Sequence, residues 1–210
     1  MSPKVEFHFD FGSPNAYIAH KLIPGIEQRT GATFVYVPVL LGGVFKLTGN
    51  QAPMVQFKGI KNKLEYQRLE MVRFLRKHGL SAFRMNPHFP VNTVQIMRGA
   101  AAAEMDGGLA LYVDAVFRHM WEEGRKMDDP AVIGAALDEA GIDGSRVLAR
   151  IQDQDVKDRL LKNTEGSVAR GTFGSPTFYV NEEIFFGKDR LRDVEEEIKA
   201  IKGAAGTARV

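Results

Sequence analysis

The sequence contains no cysteine among its 210 residues. This absence excludes disulfides, thiolate metal sites and a cysteine nucleophile from the chemistry of the chain itself. Any thiol that reacts in this protein must therefore come from a bound molecule.

An excess of charge of one sign and long apolar runs are also absent. Lysine and arginine number 28 against 26 acidic residues, and a net charge of +2 provides no strong field for nucleic acid or an anionic membrane. No stretch approaches about 18 apolar residues, and residues 1–10 alternate apolar with charged residues instead of forming a basic and then apolar leader. We expect a soluble, cytoplasmic protein with no nucleic-acid partner and no membrane partner.

Metal and nucleotide motifs are missing as well. The 21 glycines include no G-x-G-x-x-G after a strand and no P-loop. The histidines match no zinc or metalloprotease spacing, and no carboxylate cluster accompanies them in the sequence. We therefore predict no metal site and no nucleotide cofactor. The five histidines are His8, His20, His78, His88 and His119.

The first 40 residues contain a strand, a helix and a second strand. Apolar residues alternate over residues 5–11, which predicts a strand. Ser13 and the following proline supply an N-cap and a first helical residue, so a helix is expected from there to Gly31, with a kink or an interruption at Pro24. Residues 33–39 are rich in β-branched and aromatic side chains and predict a second, parallel strand.

The rest of the chain is helical and then β-β-α. From about residue 54 to 170 the apolar residues follow a helical period. Strands are expected at residues 176–180 and 184–186, joined as a hairpin, followed by an amphipathic helix that ends at Gly203. Residues 203–210 are expected to fray.

The order of these elements is the thioredoxin topology with helices inserted in its middle. We therefore predict an α/β protein with a thioredoxin-like fold and a central all-helical insertion domain. The thioredoxin-like domain comprises residues 1–50 and 171–210, and the inserted helical domain comprises residues 51–170.

The turn between the first strand and the first helix is the strongest candidate site. Ser13 places a hydroxyl where free backbone N–H groups and the positive end of a helix converge, which favours an anion. Taken alone, a serine at this position is more often a simple N-cap than a catalytic residue. Its role depends on what the rest of the chain brings to it.

Two later segments are candidate partners of this turn. In a thioredoxin-like fold, Pro176 is expected to follow a cis peptide bond and to face the start of the first helix, although a trans proline opening an edge strand fits the local sequence as well. Asp189 can cap the last helix, with Arg190 in solvent, or the two can bind the charged end of a ligand.

The segment from residue 42 to 66 contains glycines and lysines. Gly42 and Gly43 favour a loop that packs tightly or approaches a ligand closely. The lysines at positions 58, 61 and 63 belong to a basic stretch that acidic residues interrupt, which is typical of a solvated helix face. By spacing alone, nothing distinguishes Lys63 from Lys58 and Lys61.

Five motifs together resemble those of the 2-hydroxychromene-2-carboxylate isomerase family. This family is related to kappa-class glutathione transferases and, more distantly, to thioredoxin-like disulfide oxidoreductases of bacterial periplasms. The likeness covers nearly the whole chain, with its motifs in the expected order. The motifs are residues 9–17, 40–50, 86–93, 173–178 and 185–191.

The resemblance implies that glutathione is the cofactor. Ser13 would hydrogen-bond the glutathione sulfur and favour its thiolate, the nucleophilic form. The family pattern also implies a reversible addition of this thiolate to the unsaturated substrate, so that a bond can rotate before elimination returns the cofactor.

The same resemblance implies where the tripeptide is held. Asn50 and Lys63 would lie at its glycine end or at the substrate pocket. Ser175, which precedes Pro176, would pair through its backbone with the cysteinyl unit. The γ-glutamyl end is then implied to contact Asp189 and Arg190. The stretch from Asn50 to Lys63 is longer than in the transferases, so Lys58 or Lys61 could take the role of Lys63.

Three functions remain open from the sequence. The first is a glutathione-dependent isomerase for a small-molecule aromatic carboxylate substrate, in aromatic-compound degradation. The second is a kappa-class-like glutathione transferase that conjugates an electrophile, and the third is a non-catalytic thioredoxin-like binding module. Disulfide exchange is excluded because the chain has no cysteine pair. The resemblance also implies a homodimer.

Overall fold

Four strands and ten α-helices form the part of the chain that the computed structural model describes, which is residues 3–207, with side chains up to residue 204. A single 3₁₀ turn, Lys188–Arg190, precedes the last helix. The elements are β1 (Val5–Phe9), α1 (Pro14–Thr30), β2 (Phe34–Pro38), α2 (Leu41–Thr48), α3 (Pro53–Gln56), α4 (Lys63–Lys77), α5 (Val94–Asp106), α6 (Leu109–Trp121), α7 (Pro130–Glu139), α8 (Gly144–Arg150), α9 (Gln154–Ala169), β3 (Thr177–Val180), β4 (Glu183–Phe186) and α10 (Leu191–Thr207).

The strands form one mixed sheet in the order β2-β1-β3-β4. β1 runs parallel to β2, with Val5 opposite Phe34, and antiparallel to β3, with Val5 opposite Val180. β3 and β4 form an antiparallel hairpin, and α1 makes the crossover that two parallel strands require. The predicted thioredoxin-like topology is confirmed. The predicted domain limits stay a prediction.

The two faces of the sheet carry different layers of helices. Successive side chains of a strand point to opposite faces. The Phe9 ring lies 5.9 Å from the ring of Phe117 on α6, and that ring stacks at 5.1 Å on His20 of α1. On the other face, His8 hydrogen-bonds Ser167 of α9 at 2.7 Å. The site at the start of α1 therefore sits on a sheet buried on both sides.

Helix α1 has the boundaries that its local sequence predicts. The Ser13 side chain caps its start, Pro14 is its first residue, and Gly31 ends it in the left-handed conformation at φ 62°. Pro24 does not interrupt the helix, which runs through it, so of the two expected effects only a kink stays a prediction. Pro24 is on the exposed side, and the neighbouring Ile23 packs into the core.

Helix α2 replaces the loop that its two glycines predicted. Val44 is fully buried, and a side chain on Gly43 would lie 3.1 Å from the Thr164 methyl group of α9. The glycine therefore lets two helices approach each other, which a pattern of loop-forming residues does not distinguish from a loop. The short helix α8 was also missed.

The helical periods in the middle of the chain are confirmed. Met97, Met120 and Trp121 are fully buried, as expected for core residues. Helix α10 continues past Gly203 to Thr207, so the predicted end was wrong, and residues 208–210 lie outside the described residues. Within residues 3–207, none of the helices combines the length and the apolar character needed to cross a membrane.

Candidate active site

Ser13 joins the start of α1 to the segment before β3. Its hydroxyl oxygen accepts a hydrogen bond from the Ala16 amide at 3.2 Å, which is the N-cap interaction. The same hydroxyl donates to the Ser175 carbonyl at 2.8 Å. The side chain is buried, with 5% of the residue exposed. The structure thus brings together two segments that are 162 residues apart and that the sequence singled out independently.

The Ser175–Pro176 peptide bond is cis, as the sequence predicted for a thioredoxin-like fold. The Ser175 hydroxyl accepts a hydrogen bond from the Asp10 amide at 3.1 Å. On the other side, the Pro176 carbonyl accepts one from the Gly187 amide at 2.9 Å. The proline segment therefore lies between the start of α1 and the turn that precedes α10.

Asp10 is a fully buried carboxylate beside Ser13 that the sequence reasoning missed. It accepts hydrogen bonds from the amides of Gly12 and Leu41, both at 2.7 Å, and from the Thr93 hydroxyl at 3.1 Å. Burial raises the pKa of this carboxyl, and the three hydrogen bonds act in the opposite direction. An acidic residue between apolar residues at the end of a buried strand was the available signal.

Asn50 reaches the proline segment, whereas Lys63 lies along α4. The Asn50 amide nitrogen donates to the Phe173 carbonyl at 2.7 Å, two residues before Ser175. Lys63 opens α4, and its ammonium lies 5.3 Å from the centre of the Phe57 ring. Lys58 and Lys61 are exposed on the turns before α4. The lysine assignment stays a prediction.

The turn before α10 carries a compact set of charges. Asp189 accepts a hydrogen bond from the ammonium of Lys188 at 2.6 Å, and Arg190 pairs with Asp193 at 3.1 Å. Lys188 is itself buried, and its ammonium lies 4.1 Å from the centre of the Phe74 ring of α4. The sequence reasoning missed Lys188, because nothing local indicates a lysine buried against an aromatic ring.

Asn15 is a second residue at the start of α1 that was missed. Its side-chain oxygen is buried and has no hydrogen-bond partner among the described residues. A buried acceptor without a donor is uncommon, because burial removes the water that would otherwise bind it. The neighbouring Phe11 carbonyl, in contrast, accepts a hydrogen bond from the Trp121 indole at 2.8 Å.

One histidine does have carboxylates beside it, which corrects the expectation that none would. His119 contacts Glu123 at 2.9 Å, and the oxygen atoms of Glu123 and Glu139 lie close enough to share a cation. Arg125 already pairs with both carboxylates, at 2.8 Å and 2.6 Å. The cluster is therefore an ion-pair network, and the absence of a metal site stays a prediction.

A family model decides the classification of the chain. A model described as a DSBA-like thioredoxin domain matches residues 4–199. The chain belongs to the DsbA-like thioredoxin family. In this chain, α1 begins beside the cis Ser175–Pro176 bond that leads into β3.

Relatives of this DsbA-like protein include enzymes of two names. It is 28% identical to 2-hydroxychromene-2-carboxylate isomerase of Pseudomonas putida over 189 residues, which cover 89% of this chain and 90% of that protein. It is 25% identical to glutathione S-transferase kappa 1 of Caenorhabditis elegans, over 90% and 88% of the two chains. A solved structure of 2-hydroxychromene-2-carboxylate isomerase superposes with a TM-score of 0.83 at 25% identity, over 97% of this chain and 98% of that one.

Proposed function

We propose that this DsbA-like protein is a glutathione-dependent isomerase. Its substrates are 2-hydroxychromene-2-carboxylate and trans-o-hydroxybenzylidenepyruvate, or a close analogue, in aromatic-compound degradation. The isomerases among its relatives support the reaction, and the kappa-class transferases support the cofactor. The observation that carries the proposal is the buried Ser13 hydroxyl at the start of α1, beside Pro176, in a chain that has no thiol of its own.

The residues at this position fit a bound thiol. The first turn of α1 favours an anion because its N–H groups and the helix dipole point toward it. Ser13 adds a hydroxyl donor. When bound here, glutathione would supply a thiolate nucleophile.

The Ser13 hydroxyl has one proton and two possible acceptors. It now donates this proton to the Ser175 carbonyl at 2.8 Å. A hydroxyl donates one hydrogen bond at a time, so a sulfur anion and this carbonyl compete for it. A peptide-like ligand relieves the competition when its own N–H group binds the Ser175 carbonyl. Ser13 is then free to turn its proton toward the sulfur.

The charged ends of the tripeptide need fixed partners of opposite sign. We assign the γ-glutamyl end to Asp189 and Arg190, because the Gly187–Pro176 hydrogen bond holds their turn beside the proline segment. Asn50 and one lysine, for which we take Lys63, hold the glycine end or the substrate carboxylate. Fixed charges in a partly buried site orient the substrate and stabilise charge that develops in the reaction.

The requirement for glutathione gives the first test. After exhaustive dialysis the protein should lose isomerase activity, measured from the absorbance of the chromene, and added glutathione should restore it. Oxidised glutathione, which has no thiol, is the matched control and should restore nothing. Full turnover by the dialysed protein would contradict the proposal.

A kappa-class-like transferase is the second candidate, and the match to glutathione S-transferase kappa 1 favours it. Conjugation of glutathione to a chloronitrobenzene, with no isomerisation of the chromene, would select this function. A non-catalytic binding module would show neither reaction. If the protein is retained on immobilised glutathione but catalyses neither reaction, the binding module is the function that remains.

A further inference from the structure

Asp10 is a buried carboxylate whose partners are all uncharged. It is fully buried, and within residues 3–207 it forms no ion pair with a lysine, arginine or histidine. Burying a charge in this way is costly unless hydrogen bonds replace the lost water. The amides of Gly12 and Leu41 and the Thr93 hydroxyl supply three such bonds.

These three donors come from three segments that are far apart in the sequence. Gly12 belongs to the turn before α1, Leu41 opens α2, and Thr93 precedes α5. Helix α2 has no side-chain cap from its own N-cap residue, so Asp10 takes the place of that cap from 31 residues away. A side chain on Gly12 would come within 3.2 Å of the Asp10 carboxylate and 3.1 Å of Thr93. The turn is therefore built for a close approach.

Each end of this network reaches a residue of the site. The residue that follows α2 and its C-cap is Asn50, which binds the Phe173 carbonyl at 2.7 Å. The Asp10 amide binds the Ser175 hydroxyl at 3.1 Å, and its carbonyl accepts a bond from the Ser13 amide at 3.1 Å. The Asp10 backbone thus contacts both members of the Ser13–Ser175 pair.

We infer that Asp10 is a positioning residue, whose carboxylate fixes α2 and the turn before α1 so that the Ser13 hydroxyl is held opposite the Ser175 carbonyl. It acts through these segments and contacts neither cofactor nor substrate. The inference rests on the proposed function where it concerns bound glutathione. Where it concerns the position of α2, it stands without that function.

The test replaces the carboxylate with an amide of the same shape. In Asp10→Asn, one carboxylate oxygen becomes an NH₂ group, which is a donor. The asparagine side chain therefore cannot accept from both Gly12 and Leu41. The matched control is Asp138→Asn, because the Asp138 carboxylate accepts at 2.8 Å from the amide of Gly144, the first residue of α8, and this helix carries none of the site residues.

Amide hydrogen exchange is the structural readout. We expect exchange in residues 41–48 to become at least roughly tenfold faster in Asp10→Asn, a factor that follows from one lost hydrogen bond to a charged group, about 1.5 kcal/mol or more. Exchange in α2 should not change in Asp138→Asn. Unchanged exchange in α2 of Asp10→Asn would overturn the inference. This arm needs no ligand, so it decides the matter even if the protein does not bind glutathione.

The thiol of bound glutathione gives a second readout, which a merely structural role would not move. Its ionisation is followed from the ultraviolet absorbance of the thiolate as a function of pH. By charge alone, removing a carboxylate near the thiol would lower the thiol pKa. If the Ser13 hydroxyl is no longer held in position, the thiolate loses a donor and the opposite is expected. The thiol pKa should then rise by about one unit, which is a roughly tenfold change in ionisation. A lowered or unchanged thiol pKa would overturn the inference.

A milder variant covers the case in which Asp10→Asn does not fold. Thr93→Val removes one donor and leaves the carboxylate and both amide bonds in place. It should change both readouts in the same direction by a smaller factor. If Thr93→Val matches the unmodified protein in both readouts, the carboxylate network does not hold the site and the inference fails.

Discussion

Replacing Ser13 with alanine separates the structural role of this hydroxyl from its chemical role. The substitution removes the cap bond to Ala16 and the bond to Ser175. A lost N-cap costs about 1 kcal/mol, and a lost buried hydrogen bond costs about the same. The Ala16 amide keeps a backbone partner, the Ser13 carbonyl at 3.0 Å. We therefore expect the free energy of unfolding to fall by about 1–2 kcal/mol, with the fold intact.

The effect on turnover should be separate and larger than this loss explains. Under the proposed function Ser13 donates to a thiolate, and a hydrogen bond to a charged group is worth about 1.5–3 kcal/mol, so its loss should lower turnover by at least roughly tenfold. Turnover is measured with saturating glutathione, on protein shown to be folded by urea titration. Ser13→Thr, which keeps the hydroxyl, should retain most of the activity.

A helix cap elsewhere provides the control for stability. Asp143 caps α8 through the Arg146 amide at 2.8 Å, with the same spacing as Ser13 and Ala16. Asp143→Ala should cost a similar free energy of unfolding, about 1 kcal/mol, and leave turnover unchanged. A folded Ser13→Ala protein with the turnover of the unmodified enzyme would remove Ser13 from the chemistry and refute the reasoning.

Two further predictions concern the core. Gly99→Ala should lower the free energy of unfolding, measured in urea, by about 3 kcal/mol or more, because the new methyl group would lie 2.0 Å from the Tyr112 hydroxyl oxygen. Gly166→Ala should raise this free energy by about 0.5–1 kcal/mol, because Gly166 has open space around it on α9. Equal effects would contradict the packing described. Burial lowers the pKa of His8 to about 4, from 6.5. The unfolded chain therefore takes up the proton first, so stability is present above pH 6.5 and is lost as the pH falls toward 4, by about 3 kcal/mol in all. The free energy of unfolding, measured by urea titration at several pH values in this window, should depend less steeply on pH in His8→Asn. An unchanged pH dependence would exclude His8 as its source.

The elements that local chemistry defines could be predicted from the sequence. Helix α1 is the clearest example, since Ser13, Pro14 and Gly31 act within one turn of its ends. The position of Pro176 beside the start of α1 followed from topology, because a thioredoxin-like sheet places the start of β3 there. Both inferences need only nearby residues or the order of the elements.

The contacts that could not be predicted connect distant residues. The first amide of helix α2 donates to the Asp10 carboxylate, 31 residues earlier, and this contact was not available to a local reading in which the two glycines indicated a loop. The Lys188 ammonium lies over Phe74, more than a hundred residues away in the chain. Neither contact leaves a periodic or local pattern, since each arises only when the chain has folded.

The absence of cysteine is connected to the geometry of the site under the proposed function. A cysteine at position 13 would itself ionise near neutral pH, because a helix start lowers the pKa of a thiol. Its thiolate would repel a second thiolate, and neither could donate a hydrogen bond to the other. A serine hydroxyl stays protonated throughout this range and remains a donor. The same helix start that would activate a thiol of the protein can therefore bind one from a ligand only when the protein side chain is a permanent donor, as Ser13 is.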